Sequence, residues 1–138
     1  MTAPVCTVLR YRDAVAALSW LCEAFGFEER MRVPGDGPDQ IAHAQLTLGG
    51  SMLMLSTWRD DEIGALQTIP EALAGRVTAS VYVVVDDADA HHARAVAAGA
   101  RVMLPPRDEP YGGRGYTCRD LEGHVWSFGT YNPWADDS

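Results

Sequence analysis

Four histidines (His43, His91, His92, His124) and three cysteines (Cys6, Cys22, Cys118) are the side chains here best suited to proton transfer, nucleophilic attack or metal binding. His43 sits in the alternating run IAHAQLTL and could act as a general base. Cys118 paired with His43 would be a thiol nucleophile, although a buried inert thiol is the commoner state of such a cysteine. Ser127 with His43 lacks the sharp strand-to-helix G-x-S-x-G turn that exposes a serine nucleophile. His91 and His92 are adjacent in a helical pattern, so they point about 100° apart and read as solvated surface. His124 falls at a turn and reads as a loop or core-edge residue. All 11 basic residues are arginine, which excludes Schiff-base chemistry on lysine and a P-loop lysine.

The elements that must hold these groups fit one ordinary domain of 138 residues, with 47% hydrophobic content for a core. A net charge of −8 argues against nucleic acid or an anionic membrane as partner and favours a cationic ligand. Three cysteines without C-x-x-C spacing suggest free thiols in a reducing compartment. No basic segment followed by an apolar run opens the chain, and no apolar stretch is long enough to span a bilayer. The expectation is a soluble cytoplasmic protein.

The chain reads as a duplication. AVAALSWLCEAFGF and DADAHHARAVAAGA are two alanine-rich helical patterns, and a shift of 73 residues carries Asp13 onto Asp86 and Gly26 onto Gly99. The same shift carries Gly50 onto Gly123, Leu53 onto Trp126, Leu55 onto Phe128, His43 onto Tyr116 and Val8 onto Val81. Each half reads strand, helix, strand, strand, strand. Strands are expected over 5–11, 28–33, 41–48 and 51–57, then 79–85, 101–104, 115–119 and 125–131; helices are expected over 14–24 and 88–98. Gly26 is the expected cap of the first helix, and Gly49-Gly50 the turn of a two-residue hairpin. PGDGPDQ and PPRDEPYGGRG read as loops, and 59–78 as a linker with a short helix near 70–73.

RYRDAVAALSWLCEAFGF, HAQLTLGGSMLML, VVVDDADAHHARAVAAGA and YGGRGYTCRDLEGHVWSFGTY, in that order over nearly the whole chain, resemble the vicinal oxygen chelate superfamily. That group includes glyoxalase I, extradiol dioxygenases, fosfomycin-modifying enzymes and bleomycin-resistance proteins. The resemblance implies a single α+β domain of two βαβββ modules, about 4–58 and 79–134. Their sheets would form an open, cupped mixed barrel with helices on the convex side and ligand on the concave side. It also implies a homodimer, with cups made or completed between subunits; Pro4 ahead of the first strand would suit strand exchange.

The family's metal-binding positions correspond here to Cys6, Met54, Ala79 and Ser127. Met and Ala cannot neutralise a hard divalent ion, and one Cys is not a site, so no metal and no cofactor are expected. The family glutamate position, Ser127, faces the cup. Alternation then turns Val125, Gly129 and Tyr131 the same way, and Trp126 and Phe128 towards the helices. The repeat gives Met52, Met54, Ser56 and Trp58 the cup face. The Gly49-Gly50 turn adds His43, Gln45 and Thr47 as cross-strand partners. Their equivalents Tyr116, Cys118 and Asp120 are expected there too, with Val8, Arg10, Val81 and Val83. The expected ligand-binding set is Arg10, His43, Gln45, Met52, Met54, Trp58, Tyr116, Ser127 and Tyr131. The expected function is a metal-free, bleomycin-resistance-type protein that sequesters a small cationic or aromatic compound. The alternative is a glyoxalase-like lyase, isomerase or dioxygenase with displaced ligands, and a further one is a module that uses its sheets only for assembly.

Overall fold

The first helix, α1 (Ala14–Phe25), starts where Asp13 caps it, its side chain accepting from Ala16 N at 3.0 Å. It ends at Gly26, whose φ of 88° lets its N–H close on Cys22 O at 3.2 Å. The second, α2 (Ala88–Ala97), opens the same way, with Asp87 accepting from Ala90 N at 3.0 Å. Each cap contributes about 1 kcal/mol. The computed structural model describes residues 3–135.

Eight strands accompany the helices: β1 (Thr7–Tyr11), β2 (Glu28–Pro34), β3 (Ile41–Leu48), β4 (Ser51–Thr57), β5 (Val81–Val84), β6 (Arg101–Asp108), β7 (Arg114–Arg119) and β8 (Val125–Gly129). They form two four-stranded mixed sheets, ordered β1-β4-β3-β2 and β5-β8-β7-β6. β1 runs parallel to β4 and β5 parallel to β8; the other pairings are antiparallel. A 3-10 turn at Pro70–Leu73 lies in the linker. No helix among the described residues is long and apolar enough to cross a membrane.

One buried cluster serves both sheets. Ala44, Leu46, Leu53 and Leu55 enter it from the first sheet, and Tyr116, Cys118, Trp126 and Phe128 from the second. Phe25 of α1 bridges them, its ring 5.0 Å from Trp126 and 4.6 Å from Phe128. Each sheet therefore turns one face to the shared core, and its other, open face looks away.

The repeat is not gapless. In the first half, Leu48 pairs with Ser51 across the two-residue Gly49-Gly50 turn, which sets Gln45 opposite Met54 and Thr47 opposite Met52, as expected. In the second half, Arg119 pairs with Val125, and five residues, Asp120 to His124, lie between. An odd turn in place of an even one moves the strand by one residue, and one residue reverses its faces. Tyr116 thus pairs with Phe128 and Cys118 with Trp126, both on the core face rather than the cup. β5 is displaced too: Val81 pairs with Trp126 and Val83 with Phe128, so these valines pack on the core while Tyr82 and Val84 take the open face. The helix caps agree, since Asp13 corresponds to Asp87, a shift of 74.

The five-residue turn clamps the two halves together. Asp120 is buried and accepts from Tyr11 OH at 2.6 Å, from Trp126 Nε1 at 3.0 Å, and from the backbone N–H of Glu122 and His124. Glu122 accepts from the backbone N–H of Arg12 at 2.6 Å and of Asp13 at 2.8 Å, at the corner between β1 and α1. Burial first, then the Asp120 charge, holds the Tyr11 phenol well above its usual range, so it stays a donor. His124 is buried, with its Nε2 2.8 Å from Arg10 O.

Candidate ligand-binding site

The open face of the second sheet carries a hollow of about 100 Å³, bordered by Tyr82, Glu109, Tyr111, Thr117, Ser127 and Tyr131, with Gly115 and Gly129 at its base. Strand alternation delivers these groups. Tyr82 of β5 lies opposite Ser127 of β8, and Ser127 opposite Thr117 of β7. The hydroxyls of Thr117 and Ser127 are 2.7 Å apart and share a hydrogen bond. Tyr82 crosses the sheet and its OH donates to Tyr131 O at 2.6 Å. Glycine leaves room beneath it: a Cβ on Gly129 would meet Tyr82 Oη at 2.7 Å and push the ring aside. The rim is a tight turn in which Glu109 N–H donates to Gly113 O at 2.9 Å. Gly113 has φ of 76°, and a Cβ there would stand 2.6 Å from Tyr131 N. This turn sets Tyr111 edge-on to Tyr131, with centroids 5.0 Å apart and planes at 72°.

Charge gathers on one side of this hollow. Glu109 pairs with Arg107 Nε at 3.2 Å and is the more buried of the two. Arg114 spends its guanidinium on Asp89 at 3.0 Å and Asp108 at 3.3 Å. Burial, then the neighbouring Tyr111, Tyr131 and Glu109, push the Tyr82 phenol up, which keeps it protonated as a donor.

The open face of the first sheet is arranged differently. Arg10 donates to Ser56 Oγ and, from Nε, to Gln67 Oε1 at 3.1 Å. Gln67 Nε2 donates to Val8 O at 2.8 Å, and Trp58 Nε1 donates to Gln67 O at 2.9 Å. The linker after β4 is thereby strapped across the strand ends, leaving a hollow of about 80 Å³ beside Arg10, Ser56 and Trp58. Gln45 bridges His43, at 3.0 Å, and Arg30. Met54 lies between Val8 and Gln45 in the register. Met52 instead borders a third space, an open cleft of about 660 Å³ between the two sheets, with Val5, Val84, His91 and Trp134.

A single chain therefore does not gather the expected set into one cup. Ser127 and Tyr131 share the second-sheet hollow, and Arg10 and Trp58 the first-sheet one. His43, Gln45 and Met54 lie on the open first sheet, and Met52 in the cleft. Tyr116 borders the second hollow but is 3% exposed, its OH 2.6 Å from His91 Nδ1. His91 is not a surface residue: it stacks on Phe128 at 4.1 Å, and burial lowers its pKa. Burial pushes the Cys118 thiol up to about 12, so at neutral pH it is not a thiolate nucleophile. Tyr82, Glu109, Tyr111 and Thr117 escaped sequence reasoning. The one aromatic in VYVVV was a usable signal, had the strand's register been known.

The family-type metal positions do not fit a divalent ion. The Ser127 hydroxyl is engaged by Thr117, Met54 and Ala79 offer no hard donor, and no group of three His, Cys, Asp or Glu among the described residues is placed to hold a metal.

A family model described as Glyoxalase/Bleomycin resistance protein/Dioxygenase superfamily matches residues 4–128. The crystal structure of TioX from Micromonospora sp. ML1 is similar at a TM-score of 0.73 and 36% identity, covering 95% of this chain and 100% of TioX. The uncharacterized protein Rv0887c of Mycobacterium tuberculosis is 35% identical over 118 residues, 85% of this chain and 68% of that protein. The fosfomycin resistance protein FosX from Listeria monocytogenes, at 15% identity and a TM-score of 0.69, covers 96% of this chain and 96% of its own and shares the fold.

Proposed function

This chain belongs to the glyoxalase/bleomycin resistance protein/dioxygenase superfamily, and we propose that within it the protein binds and sequesters a small cationic or aromatic compound without metal. The observation that carries this reading is the second-sheet hollow: tyrosine rings around a few hydroxyls, the mix of apolar wall and fixed polar points typical of small-molecule sites. The Ser127 and Thr117 hydroxyls bond to each other, and among the described residues no His, Asp or Glu side chain hydrogen-bonds to either as an activating base would.

The binding unit in this reading is a homodimer. The two open faces look away from the shared core and carry apolar side chains, with Met31 36%, Val33 41%, Val84 44% and Met103 48% exposed. A partner copy that laid its first sheet over the second sheet of this one would cover these groups and roof the hollow. Arg10, His43, Gln45, Met54 and Trp58 would then supply the second wall of a shared site with Ser127 and Tyr131, with Met52 at its edge towards the cleft.

Two measurements test this. Light scattering at micromolar concentration should give twice the 15.0 kDa chain mass. Native mass spectrometry against a library of amines and aromatics should show retained compounds, with Tyr131→Ala retaining at least about tenfold less. A monomer, or retention unchanged in Tyr131→Ala, would defeat the proposal. Turnover of a retained compound would favour the enzymatic alternative.

A further inference from the structure

We propose that the second-sheet hollow is a cation cage, and that the ligand inserts a compact alkylated ammonium group into it. The inference rests on reading this face as a binding site and specifies what the site selects. Tyr82, Tyr111 and Tyr131 border the hollow from three elements, and Glu109 adds a carboxylate. A ring face attracts a cation through its quadrupole, and clustered aromatic rings are a recurrent solution for methylated ammonium groups.

Size and charge both discriminate. About 100 Å³ holds roughly three water molecules, which suits a trimethylammonium head and not a fused aromatic system. Glu109 and Arg114 border the hollow, and behind them Glu109 pairs with Arg107 and Arg114 with Asp108 and Asp89, a cluster with one carboxylate in excess. Both arginines are ion-paired to carboxylates, which lowers the pull of this cluster on an anion. Thr117 and Ser127 bond to each other, which leaves one of their two hydroxyl protons to donate, and Tyr82 OH already donates to Tyr131 O, so the hollow offers a neutral ligand few donors. A quaternary ammonium needs no hydrogen bond and displaces none. The chain's net charge of −8 adds a long-range field of the same sense.

The test uses choline and its uncharged isostere 3,3-dimethyl-1-butanol, titrated into the full-length, isotope-labelled protein. The backbone amides of Gly112, Gly115 and Gly129 line the hollow and report entry directly. Choline should shift these amides with an affinity at least tenfold above the alcohol. Glu109→Gln should remove most of that preference, weakening choline by a larger factor than the alcohol. Tyr111→Ala, at a residue 60% exposed, should weaken choline about tenfold with no change in thermal midpoint. Equal binding of both probes would overturn the cation cage and leave the small-molecule site standing. If neither probe moves the three glycine amides, the cage and the placement of the site on this face both fall.

Discussion

Gly49-Gly50 and Asp120 to His124 close equivalent hairpins in the two halves, yet they do different work. The first turns the chain in two residues, and nothing lies within 4 Å of where a Cβ on either glycine would stand. The second takes five, buries a carboxylate and grips the corner between β1 and α1 of the other half. The odd length reverses the faces of β7 relative to β3. Tyr116 therefore goes to the core where His43 goes to the open sheet. A repeat can keep its residue types in step and still change which of them meet a ligand.

The severest way to break this contrast is to make the turns alike. Replacing residues 119–124 with Gly-Gly would place Cys118, in place of Arg119, opposite Val125 across a two-residue turn and so reverse the faces of β7. Thr117 would be driven into the core opposite Trp126, Tyr116 and Cys118 out of it, and the Asp120 clamp would be lost. We expect no cooperatively folded protein, read as loss of near-ultraviolet circular dichroism and of a sharp denaturant transition. A native-like transition would show that hairpin length does not set the faces.

Next in size are matched core truncations. Trp126 and Leu53 hold equivalent positions, 0% and 2% exposed. Trp126→Ala should cost about 3–5 kcal/mol and Leu53→Ala about 2–4 kcal/mol. Trp126 also donates to Asp120, so its loss should couple to Asp120→Asn by at least about 0.5 kcal/mol in a double-mutant cycle, whereas Leu53→Ala with Asp120→Asn should be additive. Urea unfolding of the five variants measures all these terms. Additivity at Trp126 would mean that the clamp and the aromatic core are independent.

Much of this architecture is legible in the sequence. β3 and β4 match their expected ranges, as does the 3-10 turn at Pro70–Leu73, because strict alternation and a proline start leave little choice. β6 was expected to stop at Leu104 but runs to Asp108 through Pro105 and Pro106. It is an edge strand, where a missing N–H costs no ladder bond. The faces of β5 and β7 were not legible. VYVVV is apolar on both parities, so its pattern cannot register a one-residue slip, and the length of the second turn is ambiguous until pairing is known. Tyr82 and Thr117 are hidden by that register, and Glu109 and Tyr111 by their place in a turn that carries no alternation to aim a side chain.

The helices offer a third contrast, smaller and dependent on pH. Counted from the helix caps, His91 of α2 stands where α1 has Ala17. His91 contacts Tyr116 OH and Phe25 O and stacks on Phe128. Burial, then the Arg94 charge, lowers its pKa, while the backbone contact to Phe25 opposes the shift. Above its unfolded pKa, about 6.5, both states are neutral and His91 adds no pH dependence. As pH falls through that value the unfolded chain takes up the proton and the folded one does not, so stability falls until the lowered folded pKa is reached. Denaturant midpoints should therefore drop between pH 7.5 and pH 5.5, and the drop should be smaller in His91→Gln. Equal drops would place the titrating group elsewhere.

The smallest effect compares the two hollows through one tryptophan. Trp58 ends the first-sheet β-hairpin, and its indole N–H is held by Gln67 O at 2.9 Å, with Gly64 O at 3.4 Å. That bond fastens the linker whose Gln67 side chain holds Arg10. Trp58→Ala should thus cost about 1 kcal/mol, the net contribution of one such hydrogen bond, with added packing loss only if the strap opens. Limited proteolysis should then cut faster within residues 59–67. If the second-sheet hollow is the main binding element, Trp58→Ala should change ligand affinity less than about threefold, against at least about tenfold for Tyr131→Ala. Should Trp58→Ala instead be the more damaging to affinity while the strap stays closed, the ring itself stacks on the ligand and the first sheet holds the site. The Tyr82, Tyr111 and Tyr131 hollow would then be a secondary wall.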